Sequence, residues 1–121
     1  MENGSKRIEK INSLLLNELA NLIRNLNYKD RLVTVLNVET TSDFSEAKVW
    51  ISILYFNLLN DKKVENQNVL DNLKEKTGEF RQVLGKKLHF KKIPKLIFKI
   101  DENPEKANKI DRLLDEIKSR H

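Results

Sequence analysis

The sequence predicts an α+β domain, a two-layer sandwich in which helices cover one face of a three-stranded sheet. Three observations predict it. Ile8, Ile11, Leu15, Leu19, Leu22, Ile23 and Leu26 recur at spacings of three and four; the runs 32–40 and 47–55 have strand composition; and a second helical period leads, past Ile93-Pro94, into a short alternating run. The 121 residues fit one domain, and 39% hydrophobic with 34% charged residues supply a core under a heavily charged surface.

The first period, with Glu9, Lys10, Asn12, Glu18 and Arg24 between its apolar positions, predicts an amphipathic helix over 6–26, with Asn3 or Ser5 as its cap. Residues 27–31 read as a polar turn. The run 32–40 is rich in β-branched residues and reads as a strand. Beyond a loop at 41–46, Ala47, Val49, Ile51, Ile53 and Tyr55 alternate with Lys48, Trp50 and Ser52, the two-residue period of a half-buried strand. The short loop makes the two strands a hairpin. Residues 57–68 read as a polar connection. Val69, Leu70, Leu73, Thr77, Phe80, Leu84 and Leu88 then keep a helical period. Gly78 and Gly85 interrupt it, each about 1 kcal/mol worse than alanine in a helix interior. On an ideal helix they share a stripe with Lys74 and Arg81, so the helix bends there, packs closely on a neighbour, or lets something approach its backbone. Ile93-Pro94 stops any helix. Leu96, Phe98 and Ile100 then alternate with Lys95, Ile97 and Lys99 as a third strand. Pro104 opens a last helix with the apolar stripe Ala107, Ile110, Leu113, Leu114 and Ile117. The organisation is thus a domain over 1–103 and a C-terminal helical extension over 104–121. The order α-β-β-α(kink)α-β is that of a type II KH-like domain.

Charge is distributed unevenly. Lys and Arg number 23 and Asp and Glu 18, a formal balance of +5. Nine basic residues (Lys74, Lys76, Arg81, Lys86, Lys87, Lys91, Lys92, Lys95 and Lys99) fall between 74 and 99 against only Glu75 and Glu79, so this segment carries +7 and the remainder −2. Such a block suits a polyanion, because each cation set against a phosphate releases a condensed counterion. The alternative is a solvated face that keeps a small protein in solution. Trp50, on the polar side of its strand, either stacks on a base or a partner, or covers the sheet and pairs across strands.

Other classes find no support. No stretch of about 18 apolar residues is present, and Met1 to Glu9 lacks the apolar stretch of a secretory signal. The absence of cysteine removes disulfides and thiolate metal sites and fits a reducing cytoplasm. His89 and His121 have no partner at metal-ligand spacing, no G-x-S-x-G surrounds a serine, and Gly85-Lys86 is followed by Lys87 where a P-loop needs Ser or Thr. Asp43 with Glu46, and Asp101 with Glu102, suit turns and caps better than acid/base chemistry. The expectation is a protein that is not an enzyme, with no cofactor, no metal and no small-molecule substrate. A KH-like chain that clamps single strands carries a G-x-x-G loop between two helices. Here that place is Lys76-Thr77-Gly78, which leaves a basic helix and strand reading shape and charge.

The segments 73–81, 84–98 with its Ile93-Pro94-x-Leu96-x-Phe98 ending, and Asp101 resemble ribosome-binding factor A, the bacterial assembly factor of the small ribosomal subunit. Val38-Glu39, Ser42-Asp43, 47–49, Ile110-Asp111 and Leu113-Leu114 fit as well, so the resemblance spans roughly Arg7 to Leu114. It implies an Ala-x-Gly kink in place of the loop, with Gly78 as its glycine and Lys76 at the alanine position. It further implies a cytoplasmic, monomeric factor that binds the free 30S subunit, assists 16S rRNA maturation and matters most in the cold. The expected phosphate contacts are Lys74, Lys76, Arg81, Lys86, Lys87, Lys91, Lys92 and Lys95, with Gly78 setting the helix geometry. A basic protein–protein interaction module with an acidic partner is the alternative, and an anionic membrane surface a third.

Overall fold

In the computed structural model, which describes residues 2–57 and 59–101, the first apolar stripe forms α1 (Glu2–Arg24) with Leu15, Leu19 and Ile23 as its buried line. The helix starts upstream of residue 6, so Asn3 and Ser5 lie inside it rather than capping it. A cap is worth only about 1 kcal/mol, too little to stop a helix that can run on. Asn27 ends the following turn with φ 56°, a left-handed conformation asparagine tolerates, and its amide bonds the Arg24 carbonyl at 3.1 Å.

β1 (Arg31–Thr40) pairs antiparallel with β2 (Glu46–Tyr55), from Arg31 opposite Tyr55 to Thr40 opposite Ala47. A bulge at Leu36 shifts the register between Val35 and Asn37. Its extra residue lets Val33, Val35 and Val38 all reach the core, where strict alternation would turn Asn37 inward and Val38 out. Two helices, α2 (Lys62–Glu75) and α3 (Thr77–Leu88), then cross to β3 (Lys95–Ile100). β3 runs parallel to β2, with Leu96 opposite Ala47 and Phe98 opposite Val49, a pairing that needs such a crossover.

The expected polar connection over 57–68 is a correction, because its second half is the start of α2. Asp61 caps that helix, its side chain accepting from the Lys63 amide at 2.8 Å. The inward position here is held by Asn66, which is 6% exposed and accepts a hydrogen bond from the Tyr55 hydroxyl. A buried asparagine interrupts the apolar period, so the pattern shows only from Val69.

Around Asn66 the end of the hairpin is tied down by a polar cluster. Arg31 donates to Asp30 and to Glu65, each at 2.7 Å, and its guanidinium lies 5.0 Å from the Tyr55 ring centroid. Tyr28 donates to Asn72 at 2.6 Å. The Arg31 hydrogen bond holds the Asp30 carboxyl below the usual carboxylate range, and burial pushes the Tyr28 and Tyr55 hydroxyls up.

The core joins Leu15, Leu19 and Ile23 to Val33, Val38, Ala47, Val49 and Ile51 of the sheet and to Val69, Leu73, Phe80 and Leu84 of the crossover. α1 covers β1, α2 and α3 cover β3, and α1 meets α3. The other sheet face presents Leu32, Thr34, Lys48, Lys95 and Lys99 to solvent. The architecture is the α+β sandwich of a type II KH-like domain. The expected C-terminal helix over 104–121 lies outside the described residues.

Candidate functional site

Between α2 and α3 the break is one residue long. Lys76 takes φ −92° and ψ −1°, its amide bonds the Leu73 carbonyl at 3.1 Å, and its carbonyl accepts from Phe80 at 2.9 Å. The Thr77 hydroxyl donates to the Lys74 carbonyl at 2.8 Å, satisfying one of the acceptors left at the end of α2. No loop separates the helices, so a backbone clamp of the G-x-x-G kind has no room. The bend falls at Lys76, half-buried, and Gly78 stands two residues further on, in the first turn of α3.

The two glycines differ in what surrounds them. Among the described residues a Cβ placed on Gly78 would meet nothing within 4 Å, so close packing within this part of the fold does not explain the glycine. A Cβ on Gly85 would lie 3.8 Å from Ile93 Cγ1, an ordinary contact against the α3–β3 loop. Of the explanations for the stripe, the open backbone survives at Gly78.

That backbone faces a groove of about 640 Å³ between the crossover helices and β3, lined by Lys74, Thr77, Gly78, Arg81 and Lys95 with Leu70, Leu96 and Phe98, and by one carboxylate, Asp71, which accepts from the Gln67 side chain at 2.9 Å. A shallower recess of about 370 Å³ shares Leu70 and Phe98 and adds Lys63 and Lys99. Behind the groove, Phe98 meets Phe80 edge to face at 6.2 Å and 70°, which ties α3 to β3.

The expected contact residues separate into groups. Lys74, Arg81 and Lys95 share the groove with Gly78. Lys91 and Lys92 lie beyond the buried Ile93-Pro94 and line a different cavity, together with Arg7 and Lys10 of α1. Lys86 and Lys87 occupy the last turn of α3, where cations suit the helix dipole, and Lys87 stands 3.4 Å from Glu18 of α1. Arg81 is partly committed to the fold, since its guanidinium donates to the Ile93 carbonyl at 2.7 Å and holds the loop that leads into β3. Among the described residues Lys74, Lys86, Lys91, Lys92 and Lys95 form no ion pair. Trp50 lies across from Lys99, whose ammonium is 5.9 Å from the ring centroid. Sequence reasoning left Arg7 and Lys10 out of the site. Nothing local marks them, because only the packing of α1 beside the α3–β3 loop brings them to Lys91 and Lys92.

The family model of ribosome-binding factor A matches residues 7–114. A ribosome-binding factor A of Staphylococcus epidermidis is 33% identical over 113 residues, covering 92% of this chain and 92% of that protein. One from Lactobacillus johnsonii is 34% identical over 114 residues, covering 93% and 89%. The crystal structure of ribosome-binding factor A from Thermus thermophilus superposes with a TM-score of 0.61 at 19% identity, covering 77% of this chain and 94% of that one, and so shares the fold. The solution NMR structure of a Thermotoga maritima protein gives 0.52 at 25% identity, covering 87% and 92%.

Proposed function

Because the chain belongs to the ribosome-binding factor A family, we propose that it is a non-enzymatic assembly factor that docks its basic crossover on ribosomal RNA of the free 30S subunit and assists 16S rRNA maturation. The observation that carries this reading is the groove in which Lys74, Arg81 and Lys95 flank the open backbone of Gly78. Cations around a surface on which no described residue packs suit phosphates, and a backbone without a Cβ lets a sugar-phosphate chain approach closely.

Lys74, Lys86, Lys91, Lys92 and Lys95, which form no ion pair among the described residues, are the first phosphate contacts. Lys76, Lys87 and Arg81 contribute to the same potential while serving the kink, Glu18 and the Ile93 carbonyl. The protein acts as a monomer in the cytoplasm and can favour one RNA arrangement only through a higher affinity for it. RNA rearranges less readily as temperature falls, which makes growth in the cold the condition that needs such a factor most.

Sedimentation tests the reading. The protein should travel with free small subunits and not with assembled ribosomes, and should be lost from them on nuclease treatment. Binding that survives nuclease would instead support the acidic-protein partner.

A further inference from the structure

On the far side of Ile93-Pro94, the start of α1, the β1–β2 turn and the α3–β3 loop border a half-open cavity of about 650 Å³, within the roughly 300–1,000 Å³ typical of small-ligand sites. Its apolar lining, which includes Phe44 and Phe90, is buried or half-buried, whereas Arg7, Lys10, Lys91 and Lys92 are exposed around it, together with His89 and one carboxylate, that of Asp43. A bare phosphate would leave the apolar wall unused. A purely apolar ligand would leave four cations facing a single carboxylate, that of Asp43, which is already engaged by the turn hydroxyls.

Phe44 stands apart from the core cluster and holds φ 60°, a conformation that is a genuine outlier for a bulky residue. The turn keeps it there. The Phe44 amide bonds the Thr41 carbonyl at 3.0 Å, and Asp43 accepts from the Thr41 and Ser45 hydroxyls, each at 2.7 Å. The Arg7 guanidinium lies over the Phe44 ring, 5.6 Å from its centroid, so it covers one face of the ring and leaves the other face, and its own outer side, as the surfaces on which a base can stack. We propose that this cavity takes one unstacked base of single-stranded RNA, with the flanking phosphates against the four cations. The inference rests on the RNA-binding reading above and adds a base contact to its phosphate contacts.

The test compares an oligouridylate of about ten nucleotides, within the usual site size of single-strand binders, with inorganic polyphosphate of equal charge, using the full chain. Phe44→Gly removes the ring and relieves the positive φ. It should weaken oligouridylate binding about tenfold and leave polyphosphate binding unchanged, while Phe44→Trp retains both. Unchanged oligouridylate affinity in Phe44→Gly would overturn the base site, as would equal affinity of the unsubstituted chain for the two polyanions, or tighter binding of an acidic aromatic peptide. Each of these leaves subunit binding intact. If the unsubstituted chain fails to sediment with small subunits, the RNA-binding reading itself falls, and this inference with it.

Discussion

Charged residues gather in two regions of this molecule and are used in opposite ways. At the open end of the hairpin, Arg31 is almost covered, paired with Asp30 and Glu65 and laid over Tyr55. Its charge is consumed by the fold. In the crossover and the segment leading to β3, Lys74, Lys86, Lys91, Lys92 and Lys95 stand exposed with no ion pair among the described residues. The contrast separates cations that hold the structure from cations left over for a partner, a distinction that net charge cannot make.

The largest expected effect comes from reversing the uncommitted set. Lys74→Glu, Lys86→Glu and Lys95→Glu together should weaken small-subunit binding by roughly a hundredfold or more, while Arg24, Lys29 and Lys62 reversed to glutamate leave it nearly unchanged. Equal loss in a pelleting assay would mean that only net charge matters. Arg31→Met breaks the other region. It strands Glu65, whose side chain is 15% exposed, and should cost about 2–3 kcal/mol by chemical denaturation, with subunit affinity kept where the protein is folded.

The glycines sharpen the comparison further. Gly78→Ala and Gly85→Ala should each stabilise the protein by about 0.5–1 kcal/mol, since neither added Cβ meets an obstacle. Only Gly78→Ala should weaken subunit binding, because only that backbone borders the basic groove. Matching affinities for the two variants would remove Gly78 from the interface.

The smallest effect concerns pH. Hydrogen bonds from Ser45 and Thr41 pull the Asp43 carboxyl down to about 2 from its usual 3.8. A depressed folded value gives stability that is present above the unfolded value and lost as pH falls through the folded one. Asp43→Asn should therefore lower stability slightly at neutral pH and flatten the curve between about pH 4 and pH 2, so that variant and parent converge in acid.

The long first helix, the interrupted crossover and the strands β2 and β3 were legible because their apolar residues keep a period, and β1, whose bulge breaks alternation, because it is rich in β-branched residues. The first half of α2 was hidden since its inward position is an asparagine satisfied by Tyr55, a partner on another element. The basic segment stood out as a charge run, and Gly78 as a misplaced glycine. Which cations were spare was not legible, because the Arg81 link to Ile93 and the approach of Lys87 to Glu18 are made across the fold. The same reason concealed Arg7 and Lys10, roughly eighty residues from the lysines they join.

The central claim is that the crossover binds ribosomal RNA through uncompensated cations, and the salt dependence of small-subunit binding tests it most directly. With about four phosphates neutralised, log affinity should fall against log salt with a slope of about −3. A slope near zero would contradict the account, whatever the affinity.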